Sequence, residues 1–168
     1  DKTRCKGCTN CIKHCPTEAI RVRNGKAVII AERCIDCGEC LRVCPYHAKK
    51  AVTDPLESMN DFKYKIALPA PSLYGQFGPN FSRPQIVNAL RKLGFDYVFE
   101  VARAAEIVTN ATIEYMNNDK AKRPVISSAC PAVVRLIQVS FPNLIENLLK
   151  IESPMEVAAT LSRQEVIK

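Results

Sequence analysis

The sequence predicts an α+β domain over residues 1–50, then a partial α/β domain with a mainly parallel sheet over 63–168, joined by a linker at 51–62. Three observations carry this expectation. One cysteine pattern occurs twice between Cys5 and Pro45. Two short runs of alternating or continuous apolar residues flank Asn24-Gly25, a strong hairpin signal. From Lys63 onward, strand-like and helix-like segments take turns, the order of an α/β domain.

The first cysteine run is Cys5, Cys8, Cys11 and Cys15, followed by Pro16; the second is Cys34, Cys37, Cys40 and Cys44, followed by Pro45. Both read C-x-x-C-x-x-C-x-x-x-C-P, the bacterial-type ligand run for a cubane [4Fe–4S] cluster. Three cysteines at this spacing wrap a tight loop around three corners of a cube. The fourth corner comes from elsewhere, and in paired arrangements the fourth cysteine of each run ligates the other cluster. The expected sets are therefore Cys5, Cys8, Cys11 and Cys44 for cluster one, and Cys34, Cys37, Cys40 and Cys15 for cluster two. The prolines turn the chain away from the clusters. Gly7 and Gly38 stand where backbone must pass close to a cluster. Zinc sites use pairs of Cys-x-x-Cys or Cys/His sets in place of triplets with a remote Cys-Pro. A disulfide framework would need an oxidising compartment. The segment resembles a two-cluster bacterial ferredoxin domain over its whole length.

Between the runs, Ile20-Arg21-Val22-Arg23 and Ala27-Val28-Ile29-Ile30 form the expected hairpin, with Ile20, Val22, Val28 or Ile30 packed against a cluster. Short helical turns after Cys11 and Cys40 complete a pseudo-two-fold domain, and Pro16-Thr17-Glu18-Ala19 repeats as Pro45-Tyr46-His47-Ala48. So short a segment builds little apolar core, so the clusters serve as one. His14 and His47 read as loop histidines, because all eight ligand positions are already filled by cysteine.

Asp54, Pro55, Ser58, Asn60 and Asp61 mark the linker or a short helix. Tyr64 to Leu68 reads as a strand, ended by Pro69 to Ser72, with a Gly/Pro-rich loop through Gly78-Pro79. Ser82 caps a helix with Pro84 in its first turn and Ile86, Val87, Leu90 and Leu93 at helical spacing, and Gly94 ends it. Tyr97 to Phe99 is a second strand. Ala104 to Met116 is helical, with Ile107, Val108, Ala111 and Tyr115 on one face. Val125-Ile126 is a third strand, Pro131 to Val139 a helix, Pro142 to Leu149 a short helical stretch, and Ser153-Pro154 opens the last helix. Glu100, Glu106 and Glu114 read as isolated, solvent-facing acids.

The formal charge of +7 counts cysteines as neutral. Two clusters, each about −2 with its thiolates, bring the loaded protein to about +3. Without a basic run interleaved with aromatics, the basicity does not imply a nucleic-acid partner. No stretch approaches the length of a membrane span. Cysteines in metal spacing with no export signal point to a reducing cytoplasm. Both ends read as cut from a longer protein.

The ninth cysteine, Cys130, lies in Ser127-Ser128-Ala129-Cys130-Pro131, between a strand and a helix start. Such a place suits a functional group, and a helix N-terminus favours thiolate; a lone buried structural cysteine is the plainer account. From Lys63 the chain resembles the first part of the catalytic domain of [FeFe]-hydrogenases. The matching pieces are Ala67 to Ser72, Ala89 to Phe99, Ser127 to Pro131 and Ser153 to Met155, and the order of parts matches too. The resemblance implies that Cys130 corresponds to a ligand of the active-site H-cluster cubane. It also implies that Ala129 stands where the family carries a proton-relaying cysteine, as in a sensory or regulatory branch. The family's later ligand motifs are not in this sequence, and one cysteine cannot hold a cubane. An H-cluster would need a further C-terminal part.

Three functions follow. One is an electron-transfer protein that relays single electrons through two [4Fe–4S] clusters toward a hydrogenase-type domain. Arg4, Lys6, Lys13, Arg33 and Arg42 are then candidate charges for docking a ferredoxin- or flavoprotein-like redox partner. The second is a hydrogen- or redox-sensing protein whose output module lies elsewhere. The third is a turnover-competent hydrogenase. Oligomeric state is not legible.

Overall fold

A computed structural model describes residues 1–117 and 122–167. In chain order the elements are α1 (Asn10–Lys13), β1 (Ile20–Arg23), β2 (Lys26–Ile29), α2 (Glu39–Arg42), β3 (Ile66–Ala67), α3 (Pro71–Tyr74), α4 (Arg83–Lys92), β4 (Tyr97–Val98), α5 (Val101–Met116), α6 (Pro131–Ser140) and α7 (Pro154–Ile167). Single 3-10 stretches lie at Ala31–Arg33, Leu56–Asp61 and Pro142–Asn147. The chain forms two compact units: Asp1–Asp54 with Cys130–Leu148, and Pro55–Ala129 with Leu149–Lys168.

In the first unit, β1 and β2 pair antiparallel with Ile20 opposite Ile29 and Val22 opposite Ala27. Asn24 and Gly25 both take positive φ, 49° and 70°, as a two-residue turn with the twist of its strands requires. The register leaves Ile20 buried while Val22 and Val28 are exposed. Of Ile20, Val22, Val28 and Ile30, Ile20 is thus the one buried; Val22 shares its face but is exposed, and Val28 sits opposite Arg21 on the other face. The helical turns α1 and α2 each begin one residue before a cysteine, at Asn10 and Glu39. Helix α6 joins this unit, and Arg135 Nε donates to the Cys34 carbonyl at 3.4 Å.

In the second unit, β3 and β4 pair in parallel, Ile66 with Tyr97 and Ala67 with Val98. Phe99, Val101, Ala104 and Ala158 form the core, with Ile66, Leu68, Tyr97, Val157 and Leu161 packed on it. Helices α5 and α7 thus pack on the end of a two-stranded sheet. The third strand expected at Val125-Ile126 does not form. Ile126 makes a single bridge, its carbonyl accepting from the Leu149 N–H at 2.8 Å. A single bridge does not extend into a ladder, so the sheets among the described residues remain small, one parallel and one antiparallel.

Local chemistry sets the helix starts. The Ser82 N–H donates to Gln85 Oε1 at 2.7 Å, and Pro84 occupies the first turn of α4. Gly94 follows α4 at φ 103°, the left-handed conformation that releases a helix. Pro71 starts the short helix α3 where the sequence suggested only loop, because proline already has helical φ. Helix α5 begins three residues earlier than the periodicity suggested, at Val101. Its inner face is Val101, Ala104, Val108 and Ala111, and the large side chains Ile107 and Tyr115 stay exposed.

Candidate metal centres

Both cysteine runs fold as loops that hold the chain in left-handed conformations at repeated places. Gly7 and Asp36 take φ 67° and 53°, Thr9 and Gly38 67° and 76°, Glu18 and His47 51° and 48°. Each pair occupies equivalent positions of the two runs, so the sequence repeat is a repeat of backbone geometry. Gly7 has a further reason to lack a side chain. A Cβ there would lie 2.6 Å from the Gly25 carbonyl oxygen, so the first run is pressed against the hairpin turn.

Two cavities result. The first is lined by Cys5, Cys8, Cys11 and Cys44, with Gly7 and Ala27 among its other walls. The second is lined by Cys15, Cys34, Cys37 and Cys40, with Ile20 and Ile35. The chain thus brings three cysteines of one run together with the last cysteine of the other, in both directions. The alanine four residues after each remote cysteine holds that cysteine's sulfur. The Ala19 N–H donates to Cys15 Sγ at 3.2 Å, and the Ala48 N–H donates to Cys44 Sγ at 3.3 Å. Ala19 and Ala48 are both buried, anchoring the two returning strands of chain.

The donor set suits a cubane. No group of three His, Cys, Asp or Glu side chains converges on one metal ion among the described residues. Thiolates spread around a cavity match the corners of a cube. Backbone amides aim at sulfur, which stabilises thiolate over thiol. N–H groups of Ala27 and Gly7 hold Cys5 below its ordinary pKa. Burial works to raise Cys44, but the N–H groups of Ala48, Tyr46 and Lys49 outweigh it and the thiol lies low. Burial pushes Cys11 and Cys40 up, and burial together with the Asp36 carboxylate pushes Cys34 up. A bound cluster replaces those protons with metal charge, so sites that disfavour a bare thiolate still accept an iron-bound one.

Of the remaining candidates, Lys6 lines the first cavity and the others line neither. Cys130 is exposed, not buried, and stands at the N-cap of α6, where its carbonyl accepts from the Val133 N–H at 3.0 Å. It lines neither cavity. His14 and His47 are exposed, and His14 Nδ1 lies 2.9 Å from the Asn10 carbonyl, as loop histidines. Arg4, Lys6, Lys13, Arg33 and Arg42 are all exposed, with Arg42 paired to Glu39 at 2.5 Å.

One arrangement escaped the sequence reading. Glu100 is not an isolated acid. It accepts a hydrogen bond from the Tyr74 hydroxyl at 2.6 Å and is paired with the Arg83 guanidinium. Arg83, aided by Tyr74, outweighs burial and holds the Glu100 carboxyl down at about 2; burial and the same carboxylate push Tyr74 up to about 12. The partners come from three separate elements, and no short-range sequence signal joins them.

Comparison with known proteins agrees with this geometry. Residues 63–168 match the family of the iron-only hydrogenase large subunit, C-terminal domain, and residues 1–45 match the 4Fe-4S dicluster domain. The chain is 30% identical to iron hydrogenase 1 of Clostridium pasteurianum, over 97% of this chain and 33% of that protein. It is 31% identical to the periplasmic [Fe] hydrogenase large subunit of Nitratidesulfovibrio vulgaris, over 97% of this chain and 43% of that one. The NADP-reducing hydrogenase subunit HndD of Solidesulfovibrio fructosivorans is 23% identical over 96% of the chain and 26% of its own length. The chain therefore spans less than half of each of these relatives.

Proposed function

This chain belongs to the iron-only hydrogenase large-subunit family through residues 63–168 and carries a 4Fe-4S dicluster domain, and on that premise we propose that it relays single electrons toward its hydrogenase-type segment. The observation that supports this most is the crossed grouping of cysteines around two adjacent loops. Cys5, Cys8, Cys11 and Cys44 hold cluster one, and Cys34, Cys37, Cys40 and Cys15 hold cluster two. Each cluster, when bound, supplies a one-electron acceptor with little change of geometry. The chain's own residues do the rest. Amides of Ala19, Ala27 and Ala48 donate to ligand sulfur and stabilise added negative charge. Ile20 and Ile35 exclude water from the second cavity.

Residues 1–50 act as the cluster-bearing domain, 51–62 as linker and 63–168 as the hydrogenase-type segment. Exposed Arg4, Lys6, Lys13, Arg33 and Arg42 present cations to an acidic redox partner of ferredoxin or flavoprotein type. The compartment proposed is the reducing cytoplasm, on the strength of eight thiols kept for iron; one relative is described as periplasmic. No described helix is long and apolar enough to cross a membrane.

A second reading, a hydrogen- or redox-sensing regulatory protein, is favoured by Ala129, which has no titratable group beside Cys130. Cys130 is the single thiol outside the two cluster sets and would serve an H-cluster cubane only with ligands from beyond this sequence. Iron and acid-labile sulfide per chain, on anaerobically prepared protein, test the cluster assignment. About eight of each are expected. About four would remove one of the runs as a cluster site, and about twelve would require a further cluster at Cys130.

A further inference from the structure

The two halves of the cluster-bearing segment repeat closely until one position next to the cavities. After Cys15 and Cys44 the chain reads Pro, two variable residues, Ala, and then Ile20 in the first half but Lys49 in the second. The Ala19 and Ala48 N–H groups donate the same hydrogen bond to sulfur, so the residues that follow them start from equivalent places. Ile20 is 2% exposed and lines the second cavity. Lys49 is half-buried and lines both cavities, the one residue common to the two linings among the described residues. The other lysines of the linings, Lys2 and Lys6 at the first and Lys50 at the second, each serve one cavity and are exposed.

We propose that Lys49 is a shared positioning charge, an ammonium set where the two cavities meet that stabilises the reduced state of both clusters at once. Each reduction adds a negative charge to a cluster already negative with its four thiolates. A fixed cation in a partly water-excluded place offsets that charge more than an exposed one does. Lys49 lines the cavity that holds Cys5, Cys8, Cys11 and Cys44 and also the one that holds Cys15, Cys34, Cys37 and Cys40. The same charge therefore reaches ligands of both clusters. Ile20, at the equivalent place, offers no such charge, so the repeat is broken where a cation serves both sites and kept where an apolar wall is enough.

Because this rests on the ligand sets proposed above, the test reads iron first. The full iron-loaded chain is titrated reductively and followed by EPR, as wild type, Lys49→Ile, Lys49→Gln, Lys49→Arg and Arg23→Gln. With about eight iron per chain, Lys49→Ile and Lys49→Gln are expected to lower the midpoint potential of both clusters by about tenfold in the one-electron equilibrium, about 59 mV. Lys49→Arg is expected to keep both, and Arg23→Gln, a lost cation lining neither cavity, to leave both in place. With iron intact, a midpoint that stays put for either cluster overturns the shared role and leaves the ligand sets standing. An equal shift in Arg23→Gln overturns it too, as an effect of overall charge. Loss of iron from both neutral variants but not from Lys49→Arg assigns the charge to assembly and overturns a role in potential. Wild-type iron near four removes the ligand sets, and the role of Lys49 with them.

Discussion

Glu100 shows how much a single residue's role depends on its neighbours. In sequence it is one acid between a strand and a helix; in the fold it is 14% exposed at its side chain and bound by Tyr74 and Arg83. Its folded pKa of about 2 lies below the ordinary 4.5, so the charged form is the one the fold stabilises. The contribution is complete above about pH 5 and is lost as pH falls through 4.5 toward 2. Tyr74 acts at the other end, with a folded pKa raised from 10 to about 12, so its contribution is complete below 10 and fades above it. Glu100→Gln should therefore destabilise the second unit by about 1 kcal/mol at pH 7, mainly through weakened bonds to the carboxylate, since the exposed Arg83 contributes little. In urea unfolding the gap between wild type and Glu100→Gln should shrink markedly at pH 3. An equal gap at both pH values would mean that packing, not charge, holds the site.

At the scale of the element, starts were legible and lengths were not. Ser82-Arg83-Pro84-Gln85 announces α4, and the Ser82–Gln85 bond is there. Ser153-Pro154 announces α7, with the Ser153 N–H donating to Glu156 Oε2 at 2.8 Å and the Glu156 N–H returning to Ser153 Oγ at 3.3 Å. Ser153→Ala removes one half of this reciprocal cap and should cost about 1 kcal/mol. A lowered thermal midpoint of the second unit, partly restored by Ser153→Asp, would be the signature; no change would mean that α7 is held by its packing on α5 alone. The hairpin was likewise legible from Asn24-Gly25, since few other residue pairs take two successive positive φ values cheaply. The third strand at Val125-Ile126 failed because an apolar pair reports burial, not a ladder partner, and the partner offers only one bridge. Helix α5 started early because Val101 and Ala104 enter the core beside Phe99, a tertiary gain invisible in the local pattern.

At the scale of the whole molecule, the two units rest on different cores. The second has Phe99, Val101, Ala104 and Ala158 with their surrounding side chains. The first has small or isolated buried residues, Cys11, Ala19, Ile20, Ile35 and Ala48 among them, arrayed around two cysteine cavities. Removing iron with a chelator should therefore unfold the segment 1–54 and leave the second unit folded. Hydrogen exchange read by segment checks this: amides of β1 and β2 should lose protection while those of α5 and α7 keep theirs. Equal loss in both would mean that the second unit depends on the clusters as well. By itself the sequence determined the cysteine spacing, the hairpin turn and the helix caps, because each depends on residue types a few positions apart. Only the tertiary structure decided the exposure of Cys130, the joining of Tyr74, Arg83 and Glu100, and the seat of Lys49 between two cavities. Those depend on which distant stretches of chain meet, and no local pattern carries that free energy.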